Sequence, residues 1–141
     1  MSDPTGVELG GALSRLLAVV VEREEPILAA QGLSMWEYVI LGRLVDEEGL
    51  TQTALAERSR RDPTRLIANL DALEARGLVS RAIDPGDRRR RLVRLTDAGA
   101  TAVAATRRAI RAMEDDLLSA VSAQDRDRLR ATLARLVDAV A

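Results

Sequence analysis

Apolar residues recur every three or four positions along most of this chain and change period only once. Leu9, Leu13, Leu16, Leu17, Val20, Ile27 and Leu28 form the first stripe, which predicts a helix over about residues 7–30. Pro26 lies inside it and is expected to kink or end it, because proline removes one backbone hydrogen bond and crowds the preceding turn. Gly32 is placed to stop the helix. Ser34, with Glu37 three residues on, forms a capping box that opens a second helix. Trp36, Val39, Ile40, Leu44 and Val45 supply its apolar face. Thr51 caps a short third helix around Ala54, Leu55 and Ala56, and Arg58, Ser59, Arg60 and Arg61 form the turn after it. Asp62 followed by Pro63 is a strong helix start. In the fourth helix Leu66, Leu70 and Leu73 form one tight inward stripe, and Gly77 ends it.

Here the period shortens. Leu78 to Ile83 is strand-like, Asp84-Pro85-Gly86-Asp87 is a turn, and Arg90 to Leu95 is a second strand carrying Leu92, Val93 and Leu95. The result is a short antiparallel hairpin with arginines at its tip. Thr96 caps a fifth helix, whose face of Val103, Thr106, Ile110, Met113, Leu117 and Val121 spaces like a packing seam. A last helix from Ser122 to Val140 repeats that spacing with Leu129, Leu133, Leu136 and Val140. The predicted fold is mainly α with a small β-hairpin wing. Helix, turn, helix and hairpin over residues 51–95 make a winged helix-turn-helix. Helices one, five and six carry apolar stripes too long for one winged unit to cover, which predicts dimerisation. The expected domains are an N-terminal dimerisation helix (1–32), a DNA-binding winged unit (33–96) and C-terminal dimerisation helices (97–141).

Composition narrows the chemistry. The 141 residues suit one domain with appended helices, and 47% hydrophobic with 30% charged residues is ordinary for a soluble globular protein. No stretch approaches the ~20 apolar residues of a membrane span. Met1 to Gly6 carries Asp3 and no basic cluster, so it does not read as a signal peptide. A cytoplasmic protein follows. All 21 basic residues are arginine, and there is no Lys, His or Cys. Thiolate, imidazole and Schiff-base chemistry, Cys- or His-ligated metals and Walker-type phosphate loops therefore have no residues to work with. Only carboxylates remain, and no paired carboxylates stand out. The expectation is no enzyme, no metal and no cofactor.

Charge adds the functional clue. The net charge is −1, yet residues 1–57 sum to −7, residues 58–94 to +6 and residues 95–141 to zero. One basic segment in a near-neutral chain points to a local polyanion-binding surface; a merely solvated charged face is the plainer alternative. On the fourth helix, the face opposite the leucine stripe centres on Ala68 and Ala72, with Thr64 and Arg65 beside them and Asn69 on the flank. Alanines admit a DNA backbone closely, Arg65 can pair bidentately with guanine, Asn69 with adenine, and Thr64 can meet a phosphate or a thymine methyl. Arg60 and Arg61 in the preceding turn join the candidate contacts. In the wing, Arg88, Arg89, Arg90 and Arg91 are the densest positive charge, and alternation should turn about half of them to DNA. Asp87 can orient one guanidinium. Surface pairing with Asp84 or Asp87 is expected for Arg88 or Arg91.

Gly77-Leu78-Val79, Asp84-Pro85-Gly86-Asp87-Arg88-Arg89 and Leu95-Thr96-Asp97-Ala98-Gly99 together resemble the signature of the MarR family of bacterial transcription regulators, and the likeness extends over nearly the whole chain. The resemblance implies a homodimer with interlocked terminal helices and two winged units on a pseudo-palindromic, double-stranded operator. It implies that Asp87 and Arg89 are the wing pair, with Arg89 in the minor groove, and that Arg65 and its neighbours read bases. Many members are repressors released by small, often phenolic, ligands bound between the dimer helices and the DNA-reading lobe. Thiol-sensing members need Cys and zinc-sensing members rely on His, so an organic effector, or none, is left. Trp36, Tyr38, Arg43 and Met113 are the candidate pocket residues; for Trp36 and Met113 core packing is the simpler reading. The function expected is a DNA-binding regulator, with a ligand-binding or interaction module that does not bind DNA, and a carboxylate enzyme, as alternatives.

Overall fold

In the computed structural model, residues 6–141 are described. Helix α1 (Leu9–Ala30) leads to α2 (Met35–Asp46), then a two-residue strand β1 (Leu50–Thr51), α3 (Gln52–Ser59) and α4 (Pro63–Ala75). Strands β2 (Val79–Asp84) and β3 (Asp87–Leu95) follow, then α5 (Asp97–Leu117), a 3₁₀ turn at Leu118–Ala120 and α6 (Ala123–Val140). The predicted caps all form. Ser34 Oγ accepts from the Glu37 N–H at 3.1 Å while Glu37 Oε1 accepts from the Ser34 N–H at 3.0 Å. Thr51, Asp62 and Thr96 each accept from the N–H three residues on, at 3.1, 3.0 and 3.0 Å. These bonds satisfy donors that a helix start leaves without partners.

Four expectations need correction. Pro26 does not end α1, which runs unbroken for 22 residues. Glu22 and Pro26 both lie exposed, so water can serve the carbonyl the proline leaves unbonded. The sheet has three strands in the order β1-β3-β2, not two, because Leu50 pairs with Val93 and Thr51 with Leu92. The wing turn is tighter than predicted: β3 starts at Asp87, so Arg88 and Arg89 join Arg90 and Arg91 within the strand. Finally, α5 stops at Leu117, and Val121 is extended so that Ser122 can cap α6.

The core lies under the winged unit. Ile40, Leu41, Leu55, Leu66, Leu70, Leu73 and Val93 are completely shielded, with Val103 of α5 closing one side. Each such side chain contributes roughly 1.5–3 kcal/mol by leaving water. The junction with α5 is tight. Thr96 Oγ1 donates to the Gly77 carbonyl at 2.6 Å, and the Thr96 N–H donates to the Leu78 carbonyl at 3.1 Å. Gly99 sits so close to the Leu78 carbonyl that a Cβ would overlap it and press on the Leu95 side chain.

The terminal helices differ. Helix α6 buries no residue, and Leu129, Leu133, Leu136 and Val137 stand exposed. Leu9, Leu13, Leu16 and Leu17 of α1 are likewise exposed. Leu13, Leu17, Val20, Leu117, Leu129 and Leu133 line an apolar groove of about 490 Å³. Among the described residues, no helix is long and apolar enough to cross a membrane. The expectation about residues 1–6 falls, but for Gly6, outside the described part.

Candidate nucleic-acid interface

Helix α4 turns its leucine stripe inward, and this fixes what it offers outward. Leu66, Leu70 and Leu73 are buried. Thr64, Arg65, Ala68 and Ala72 are consequently exposed, and Asn69 is half-buried on the flank. The outer face is thus shallow, with Arg65 as its one long cation.

Arginines hold this helix in place from three sides. Arg61 Nε donates to Asn69 Oδ1 at 3.2 Å, and its guanidinium lies 4.3 Å from the centre of the Trp36 ring on α2. At the other flank Arg81 of β2, only 14% exposed, meets Asp71 at 2.6 Å, Glu74 at 3.0 Å and Gln52 Oε1 at 3.5 Å. At the C-terminal end Arg76 reaches Glu37 at 3.3 Å and the Gln31 carbonyl at 3.4 Å. Neither Arg76 nor Arg81 carries a local sequence signal for this work, since each is one arginine in a basic segment. Hydrogen bonds from Arg81 hold the Glu74 carboxyl below the usual carboxylate range, outweighing the opposing effect of its surroundings.

Arg60 is exposed and holds an uncommon backbone, with φ at +50°. It ends α3 in the left-handed conformation, and the next N–H, of Arg61, returns to the Ala56 carbonyl at 2.9 Å. Glycine usually fills such a site, because a side chain there costs about 1 kcal/mol.

In the wing, the Asp87 carboxylate is the organising group. Its Oδ1 accepts from the Arg89 backbone N–H at 3.0 Å and from Arg89 Nε at 3.3 Å, while Oδ2 lies 3.5 Å from Arg90 Nε. These donors, the backbone N–H first, hold the Asp87 carboxyl below its ordinary range. The Arg89 side chain is nonetheless 92% exposed. The pairing predicted for Arg88 or Arg91 is instead made by Arg89 and Arg90: Arg89, two residues along β3, shares the face of Asp87, and the other carboxylate oxygen lies within 3.5 Å of Arg90 Nε. Asp84 accepts from the Gly86 N–H at 2.9 Å and serves the turn. All four arginines 88–91 are exposed.

The four candidate pocket residues do not share one cavity. Trp36 is occupied by Arg61, Arg43 is exposed, and Met113 is half-buried on α5. Tyr38 lines a cleft of about 390 Å³ between α2 and α5, together with Arg107, Arg108, Ile110, Arg111 and Glu114. Arg107 bridges the same two helices, 3.7 Å from Asp46 and 3.5 Å from the Gly42 carbonyl. Glu114, at the edge of the cleft, also accepts from Arg130 of α6 at 2.7 Å.

Residues 31–90 match the model of the MarR family. A putative transcriptional regulatory protein for the hcr operon of Thauera aromatica is 30% identical over 92% of this chain and 78% of its own. The transcriptional repressor CouR, solved bound to a 23-mer DNA duplex, is 32% identical, covers 92% of both chains and superposes with a TM-score of 0.79. CouR from Rhodococcus jostii RHA1 bound to p-coumaroyl-CoA is 27% identical, with 96% and 95% coverage and a TM-score of 0.74.

Proposed function

Because this chain belongs to the MarR family of transcription regulators, which are not enzymes, we propose that it is a homodimeric repressor that reads a pseudo-palindromic operator and is released by an organic anion. Thr64, Arg65, Ala68 and Asn69 face the major groove in this reading, Arg89 enters the minor groove, and Arg60, Arg88 and Arg90 grip phosphates. The observation that carries it is the Asp87–Arg89 pair. The Asp87 carboxylate holds the Arg89 N–H and Nε, yet leaves the rest of the guanidinium in solvent on a strand loaded with positive charge. Such a group is preorganised for a narrow, negatively charged groove.

Dimerisation is supported by the exposed leucines of α1 and α6, which no other part of the chain covers among the described residues. Repression follows the DNA-bound relative, named a repressor. The organic anion is supported by the cleft that Tyr38 lines together with Arg107, Arg108 and Arg111, three cations against the one carboxylate of Glu114, and by the relative solved with a coenzyme A thioester. An anion wedged between α2 and α5 acts only if it favours a conformer whose α4 helices no longer match the DNA spacing. The protein works in the cytoplasm, where its operator lies.

A gel shift with DNA flanking the chain's own gene tests the reading. A salt-sensitive complex that survives excess random duplex is the expected result, and titration with an aromatic carboxylate or its coenzyme A thioester dissolves it. No complex at any salt supports the module that does not bind DNA.

A further inference from the structure

Arg61 and Asn69 both fall in the base-reading region, but they are committed to each other. A guanidinium has five N–H donors and no acceptor, so the Arg61 Nε contact at 3.2 Å forces the amide of Asn69 to present its oxygen, not its nitrogen. Arg61 is itself held against the Trp36 ring at 4.3 Å, and Trp36 remains 37% exposed at the start of α2. The indole therefore fixes the guanidinium, and the guanidinium fixes the amide.

We infer that Asn69 reads its base as a hydrogen-bond donor only, and that Trp36, through Arg61, is the positioning residue that sets this preference. Bidentate recognition of adenine needs the amide oxygen on the adenine N6 amino group and the amide nitrogen donating to N7. The amide oxygen has a second lone pair, but it is turned to Arg61, so the group directed away from Arg61, toward the groove edge, is the NH2 with its N–H donors. They suit guanine O6 or N7, or thymine O4, and offer adenine N7 alone. This changes the base expected from the asparagine itself, and it moves Trp36 from the effector site to the reading of DNA. The inference rests on the reading of α4 as the groove helix.

The test is competition binding of the full chain to operator duplexes varied one base pair at a time, with Trp36→Ala, Trp36→Phe and Asn69→Asp beside the wild type. Thermal melting checks that each variant folds. At one position in each half-site the wild type should favour guanine or thymine over cytosine by about fivefold, one hydrogen bond's worth. Removing the accepting atom (guanine N7 in the 7-deaza base, guanine O6 in 2-aminopurine, thymine O4 by a thio group) should remove the preference. Trp36→Ala should lose it at the same pair and nowhere else, while Trp36→Phe, which keeps an aromatic face, retains it. Asn69→Asp, an acceptor at both oxygens, should turn the preference toward a donor-bearing base. Selective binding left unchanged by Trp36→Ala overturns the relay alone. So does an adenine preference that falls when the N6 amino group is removed. A wild type that binds all duplexes equally overturns the reading of α4 as well.

Discussion

Arg60 holds a left-handed backbone where glycine would rest without strain. In the proposed reading, the Arg60 side chain grips a phosphate, and that contact offsets the strain at the turn before α4. Arg60→Gly should therefore raise stability by about 1 kcal/mol in thermal or denaturant unfolding. It should also weaken operator binding and lower the salt slope by about one, as expected for one lost phosphate contact. Unchanged DNA affinity would leave the strain without its functional reason. Next to it, the Ser59 hydroxyl is buried without a partner. Ser59→Ala should be neutral or stabilising by up to about 1 kcal/mol, because it removes an unsatisfied polar group. At this scale the sequence was only partly legible. Asp87 and Arg89 stand in a motif whose spacing places one beside the other. The Trp36–Arg61–Asn69 contacts and the clasp of Arg81 on Asp71 and Glu74 link separate elements, and no local pattern encodes them.

The elements were far more readable, because capping and leucine periodicity are local and strong. Ser34, Thr51, Asp62 and Thr96 each mark a helix start that the structure bonds as expected. What escaped was decided by tertiary contact. Two residues of β1 have no alternation to detect, and they become a strand only because β3 lies beside them. The helix ending at Leu117 instead of Val121 reflects the Ser122 cap winning over a continuous apolar seam. The Gly99 contact yields a sharp prediction. Gly99→Ala drives a methyl into the Leu78 carbonyl, where backbone cannot give way, and should cost about 3 kcal/mol in denaturant unfolding. A loss within experimental error would mean that α5 shifts freely on the wing.

Helices α1 and α5 meet with a second consequence. Burial raises the Glu24 carboxyl above its usual value, and the nearby Glu114 charge adds to the effect. A carboxyl raised in the folded state binds more protons folded than unfolded. Its stabilising contribution is therefore present below the normal carboxylate range and is lost as pH rises through the raised value. Glu24→Gln should increase the melting temperature at neutral pH, with the gain shrinking as pH falls toward the carboxylate range. A gain independent of pH would contradict this cause.

For the whole molecule, the near-zero net charge conceals a division of labour. The basic segment 58–94, at +6, holds α4 and most of the wing, while residues 1–57 carry −7. An acidic remainder discourages indiscriminate DNA binding and leaves attraction concentrated on one surface. The apolar groove between α1, α5 and α6 is the complementary feature: about 490 Å³ of leucine-lined space that a second copy is proposed to fill. Leu133→Glu should accordingly shift the mass in light scattering from dimer to monomer while the winged unit keeps its fold. A dimer unaffected by that charge would place the interface elsewhere. Two copies joined in this way present two α4 helices, and their separation has to match the DNA repeat.

Hydroxyl-radical footprinting of the operator reads this match between the paired α4 helices and the DNA repeat. Two equivalent protected patches are expected, centred about 34 Å or one helical turn apart and related by a two-fold axis, with protection of the flanking minor groove lost in Arg89→Ala. A single unpaired patch, or minor-groove protection unchanged in Arg89→Ala, would contradict it.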